Sequence, residues 1–294
     1  MKIRIPATSA NLGPGFDSLG LAVGLYNEAI ITPSSFFSVK IKGEGADRPS
    51  LKSNNAFVSI FHETFLELTG EKTNFRFEFF NGVPLSRGLG SSSAVIVGAI
   101  ASAYEMADLK VDKQIVLNKA LSYESHPDNI SPAVFGGFTT SVVQEKKVYT
   151  QKKNLPDCIS AVVVIPDRPM STAHSRTQLP KHYKMSEAVT NISHASFLSA
   201  AFFQENWELL KIASKDELHE DRRMQQLPIL FDVRKCALEN NALMSTLSGS
   251  GSTFFNLTYK DNEVNLVKTL KKSFPDFKIM ALNFDNEGFF IEKS

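Results

Sequence analysis

The spacing of apolar residues divides the chain into strands and amphipathic helices. Phe36–Lys42 alternates as a strand does, and Phe75, Phe77 and Phe79 alternate with Arg76 and Glu78, which predicts a half-buried strand with a phenylalanine stripe turned to the core. Between them Asn54–Leu68 brings Val58, Phe61, Phe65 and Leu68 to one helical face, with Gly70 as its stop. Further helices are predicted over about 94–109, over 112–124 with Asp112 as cap, and over 186–206, 206–219 and 262–272. Strands are predicted over 2–6 (ending at Pro6), 142–150, 158–165, 253–259, 278–284 and 288–292. Ala161–Ile165 is apolar throughout, as a central strand would be. A soft boundary near residue 155 divides the chain into parts 1–155 and 156–294.

Composition narrows the function without naming it. A chain of 294 residues with 43% apolar content and 23 Phe can bury a substantial core and is not a disordered chain. A net charge of +1 gives no argument for nucleic acid or an anionic membrane, although a local basic patch could hold a small anionic substrate. The two cysteines, Cys158 and Cys236, lack Cys-x-x-Cys spacing, so neither a zinc site nor a disulfide framework is expected, and both are expected as core thiols. The first residues, Met-Lys-Ile-Arg-Ile-Pro, carry no signal h-region and no apolar run approaches about 18 residues, so a soluble cytoplasmic protein is expected.

The chemistry concentrates at residues 83–109, a turn, a small-residue loop and an apolar helix. Gly88 and Gly90 permit backbone angles closed to residues with a Cβ and let several N–H groups converge on one point. Ser91, Ser92 and Ser93 then fall in the first turn of the helix, where unpaired N–H groups and the positive dipole end favour phosphate. A plain Gly/Ser connection has the same composition. No Lys follows the second Gly, so this is not a Walker A loop, and it is not a Gly-x-Gly-x-x-Gly dinucleotide loop either. Pro84-Leu85-Ser86-Arg87-Gly88-Leu89-Gly90-Ser91-Ser92-Ser93-Ala94 closely resembles the ATP loop of the GHMP kinases, the family of galactokinase, homoserine kinase and mevalonate kinase. The resemblance implies that these eleven residues hold ATP.

Other segments resemble further motifs of that family, above all those of its homoserine kinases. The small-residue loop 7–20 reads as a tight turn or a pocket wall. It resembles the family's N-terminal signature, which implies that Asn11 and Asp17 meet the substrate's ammonium. Tyr-Glu-Ser-His-Pro-Asp-Asn at 123–129 clusters polar groups about Pro127, which ends a helix or starts a turn; as a bare sequence it is a polar turn or a metal-binding carboxylate. Its resemblance to the family's Glu-Gly-His-Pro-Asp-Asn implies Glu124 as a Mg²⁺ ligand beside Ser92, with His126, Asp128 and Asn129 on the acceptor side; Ser125 stands where the family usually has Gly. Thr172 and Arg176 would share a helical face, and they match a family segment whose Arg contacts substrate near the transferred group. Glu220-Asp221-Arg222-Arg223 resembles the family's Glu-Pro-Tyr-Arg block, and counting back from Pro228 aligns Arg223 with its carboxylate-binding arginine, though the Pro-Tyr pair is absent. Leu247–Phe255 resembles the third motif, a glycine loop that approaches the nucleotide loop.

The resemblance spans nearly the whole chain. It implies an α+β, two-subdomain fold, with an N-terminal part like ribosomal protein S5 domain 2 and a ferredoxin-like C-terminal part, and ATP in the cleft between. It further implies ATP and Mg²⁺ as cofactors, phosphorylation of the L-homoserine hydroxyl and a homodimer. Asn129 and Arg176 are expected to orient the hydroxyl, with Asp128 as the candidate if a base is used. The alternatives are a kinase of the same family for mevalonate, shikimate or a sugar, and a binding protein that has lost the chemistry.

Overall fold

The computed structural model describes residues 1–170 and 172–292, apart from the side chains of residues 172–174. Strands β1 (Lys2–Ala10), β2 (Leu19–Pro33) and β3 (Ser38–Gly43) come first, then helices α1 (Ser50–Ser53) and α2 (Ala56–Thr69), strand β4 (Phe75–Asn81), and helices α3 (Ser91–Met106), α4 (Lys113–Ala120) and α5 (Pro127–Phe135). Strands β5 (Phe138–Gln144), β6 (Lys147–Lys153) and β7 (Ile159–Ile165) follow. Helices α6 (Thr172–Thr177), α7 (Met185–Phe203), α8 (Leu210–Ala213), α9 (Glu220–Met224) and α10 (Ile229–Glu239) lead to β8 (Met244–Leu247), β9 (Phe254–Tyr259), α11 (Glu263–Ser273), β10 (Lys278–Leu282) and β11 (Phe290–Glu292). No helix among the described residues is long and apolar enough to cross a membrane.

Two sheets carry these elements. The first runs β11-β1-β2-β4-β3, with β5 pairing the start of β2 and β6 pairing β5; only β3 and β4 are parallel. The second is antiparallel, in the order β10-β7-β9-β8. The phenylalanine stripe faces the core as expected: Phe75, Phe77 and Phe79 pack on Phe57, Phe61 and Phe65 of α2, edge-on for most pairs. The apolar run of β7 is explained by two covered faces. Ala161 and Val163 pack toward β1, β2 and Phe138, whereas Val162 and Val164 pack toward α10 and α11. One apolar cluster therefore joins the two sheets, and Phe138 stacks on Phe202 of α7 at 4.1 Å between centroids.

Helix ends follow local chemistry. The Asn55 side chain caps α2 and Gly70 ends it in the left-handed region; Asp112 caps α4 through Gln114 N and Ile115 N; Pro127 opens α5, where its missing N–H costs nothing. Elsewhere the elements differ from the apolar pattern. β1 does not stop at Pro6, because β2 bulges opposite it, the register passing from Pro6↔Tyr26 to Ala7↔Val23. β2 itself has no clean period of two, since its first five residues are buried whichever way they point. The single strand expected over 142–150 is a hairpin, turned at Glu145 and Lys146, whose φ values of 52° and 62° suit a tight two-residue turn. The helix expected over 206–219 shortens to a turn at Trp207–Leu209 and α8. The cysteines are not core thiols: Cys158, in the connection before β7, is exposed and Cys236 is half-buried on α10.

Because the shared cluster binds the two sheets, Phe202→Ala should lower the free energy of unfolding by about 3–5 kcal/mol in a single transition on urea titration; two separate transitions in the parent protein would refute a common core.

Candidate active site

The glycine loop ends in a helix mouth. Gly90 sits at φ 66° immediately before α3, and no side chain caps that helix. Its N-terminal N–H groups therefore open toward a cavity of about 400 Å³, lined by residues 85–93 together with Glu124 and His126 from the connection before α5 and Asp128 and Asn129 from its first turn. Of the three serines only Ser92 is exposed; Ser91 and Ser93 are buried. Both glycines are sterically required. A Cβ on Gly90 would lie 1.9 Å from Thr8 Oγ1, and one on Gly88 would lie 2.1 Å from the carbonyl oxygen of Ser248.

The second glycine loop, between β8 and β9, closes on the first. Ser248 Oγ donates to Gly88 O at 2.6 Å, and Thr253 N donates to Arg87 O at 3.0 Å. The Arg87 guanidinium is already engaged, donating to Pro166 O, Leu85 O and Asp167 Oδ1, so it fastens the loop to the segment after β7.

Charged groups of both signs line the opposite wall. Asp17, held at φ 57°, donates its N–H to Asn11 Oδ1, while Asn11 Nδ2 donates to Gly249 O; both ends of the Asn11 amide thus serve the loop. Asp17 pairs with Arg176 through Oδ1 and faces His126 Nε2 at 3.5 Å through Oδ2; His126 Nδ1 lies 3.5 Å from Glu124. The hydrogen bond to Glu124 raises the His126 pKa against the opposing effect of burial, and Asp17 adds to the rise. Burial, reinforced by Asp17, pushes the Asp128 carboxyl up to about 7. Arg223 is 2% exposed, and its burial, with Arg176 nearby, lowers its pKa to about 10. Phe16 lies beneath both arginines, 5.1 Å from Arg176 and 5.2 Å from Arg223. The Nε atoms of Arg176 and Arg223 are buried without a hydrogen-bond partner.

Asn11, Asp17, Ser92, Glu124, His126, Asp128, Asn129, Arg176 and Arg223 thus meet at one cavity. Pro84 and Ala94 bracket the loop from buried positions off the cavity wall, and the side chain of Thr172 lies outside the described residues. Between the two adjacent arginines the choice is geometric: Arg222 turns away to Glu187, Glu217 O and Leu218 O. Several residues carry no sequence signal. Thr8 Oγ1 donates to Asn129 Oδ1 at 2.8 Å, and an apolar recess walled by Ala56, Leu85 and Val95 adjoins the cavity. Phe16 could have been singled out as the one aromatic side chain within 7–20.

Residues 55–137 match the family described as GHMP kinases N terminal domain, and residues 198–276 match GHMP kinases C terminal. The chain is 61% identical to the homoserine kinase of Campylobacter concisus over 294 residues, 100% of each chain. It is 58% identical to that of a Nitratiruptor species over 293 residues, again 100% of each. The crystal structure of homoserine kinase from Cytophaga hutchinsonii superposes with a TM-score of 0.87 at 28% identity, covering 99% of this chain and 96% of that one.

Folding raises the Asp128 pKa from an ordinary 3.8 to about 7, so the folded state binds the extra proton between those values. The stability this confers is present below about pH 4 and is lost as pH rises through about 7. Asp128→Asn should therefore melt above the parent protein at about pH 8, with the gap closing toward about pH 4; a gap independent of pH would contradict the assignment.

Proposed function

The chain belongs to the GHMP kinases, in the branch of the homoserine kinases, and phosphorylates homoserine; on that premise we propose how its own residues divide the reaction. The observation that carries the reading is the Asp17–Arg176 ion pair with Arg223 beside it, adjacent charges of both signs matched to a zwitterion. The homoserine ammonium goes to the Asp17 carboxylate, which Asn11 holds in place. Its carboxylate goes to Arg176 and Arg223, whose partnerless Nε groups lack only an acceptor. A free amino acid thus exchanges one internal ion pair for two external ones.

Backbone N–H groups of residues 88–93 take the triphosphate of ATP, and the recess at Ala56, Leu85 and Val95 takes the adenine. Ser92 and Glu124, both oxygen donors on one cavity, suit Mg²⁺, a hard cation that completes its shell with phosphate oxygens and water. Bound there, the ion supplies charge neutralisation on the phosphate oxygens.

Phosphoryl transfer needs chiefly positioning and charge neutralisation. Thr8 fixes the Asn129 amide so that it can hold the substrate hydroxyl in line, and Arg176 offsets charge on the moving group. A second reading, in which Asp128 takes the hydroxyl proton, is favoured by one observation, its pKa near neutrality on the cavity wall.

In an ADP-release assay homoserine should be phosphorylated in preference to mevalonate and shikimate, and preference for either of those would overturn the assignment of Asp17. Asp128→Asn separates the two readings of Asp128. Turnover kept within about tenfold supports positioning alone, whereas a loss of about 10²–10⁴ in kcat at unchanged KM values makes Asp128 the base.

A further inference from the structure

We propose that His219 is a positioning residue for the substrate carboxylate: as a neutral imidazole with its proton on Nε2, it accepts a hydrogen bond from Arg223 and holds that guanidinium against the cavity. The inference rests on the reading of Arg223 as the carboxylate ligand. His219 is 1% exposed, on the N-terminal edge of α9, one turn before Arg223. Its Nε2 lies 2.8 Å from Gly13 O, and its Nδ1 lies 3.2 Å from an Arg223 terminal nitrogen. A carbonyl can only accept and a guanidinium can only donate, so the two partners leave one tautomer, N–H at Nε2 and a lone pair at Nδ1.

Backbone bonds and ring packing fix where the imidazole sits. Asp216 accepts the backbone N–H groups of His219 and Glu220, at 2.7 and 2.8 Å, and Asn191 Nδ2 donates to the same carboxylate. Phe16 packs on the ring at 5.0 Å and carries Arg176 and Arg223 on the same side chain. The nitrogen of Arg223 bonded to His219 also donates to Gly249 O at 3.0 Å, the carbonyl that Asn11 reaches. His219 and Gly249 therefore occupy that inner nitrogen, while Nε remains without a partner. A buried histidine serving packing alone would not need its acceptor nitrogen aimed at a substrate ligand.

The test compares His219→Leu, His219→Asn and His219→Gln with Arg223→Leu, reading KM for homoserine, KM for ATP, kcat, and the inhibition constant of 3-amino-1-propanol, which lacks the carboxylate. Asn can place an acceptor where Nδ1 stood; Gln reaches toward Gly13 and leaves Arg223 without one. His219→Leu and His219→Gln should raise KM for homoserine roughly tenfold, the loss of one hydrogen bond to a charged group, with the other readouts within about twofold. His219→Asn should recover most of the loss. The Asn and Gln pair decides the matter even if the Leu variant fails to fold. Equal effects on homoserine and 3-amino-1-propanol, an equal rise in KM for ATP, or Asn no better than Gln would overturn the role of His219 while leaving that of Arg223. An unchanged KM for homoserine in Arg223→Leu would overturn both.

Discussion

The structure depends on a contact between two glycine loops that no side chain could enter. Gly88 brings its backbone so near the Ser248 carbonyl that a Cβ would lie 2.1 Å from it, and Gly90 does the same against Thr8. A positive φ at both positions adds to the requirement, since only glycine adopts it without cost. This contact seats the mouth of α3, on the first sheet, against the loop that joins β8 and β9 of the second, above the apolar cluster that the two sheets share.

Around that seam the polar groups are engaged before any ligand arrives. Asn11 ties loop 11–18 to Gly249, Thr8 ties β1 to Asn129, and Arg87 ties the phosphate loop to Pro166 and Asp167. Each bond spends a side chain on holding another in place, the arrangement that phosphoryl transfer rewards, because its transition state asks for fixed charge and alignment more than for covalent help. Among the described residues, the groups left with capacity include the helix N–H groups, Ser92, Glu124, the Asn129 amide nitrogen, the carboxyls of Asp17 and Asp128, and the Nε atoms of two arginines.

Burial is what separates these groups from ordinary surface charges. Arg223 and Asp128 are both within 5% of full burial, one cationic and one pushed toward neutrality, and they belong to different sheets' helices. An exposed Asp–Arg pair is worth little in water. In a shielded cavity with unsatisfied donors, the same charges discriminate strongly for a ligand that presents both signs.

By itself the sequence determined the elements whose periodicity comes from one covered face, the phenylalanine strand and α2 among them, and the loops whose glycines have no substitute. Through the resemblance of its motifs to those of the GHMP kinases it also singled out Asn11, Asp17, Ser92, Glu124, Asn129 and Arg223 as candidates. It did not reveal β2 or the hairpin at Glu145, where burial on both faces or a two-residue turn erases the period. Nor could it show that His219 meets Gly13, that Phe16 underlies two arginines, or that Arg222 turns to Glu187, because each of these depends on which segments distant in sequence are brought together. Local spacing fixes which residues share a turn or a face; only the closure of one sheet upon the other decides which of those faces meet.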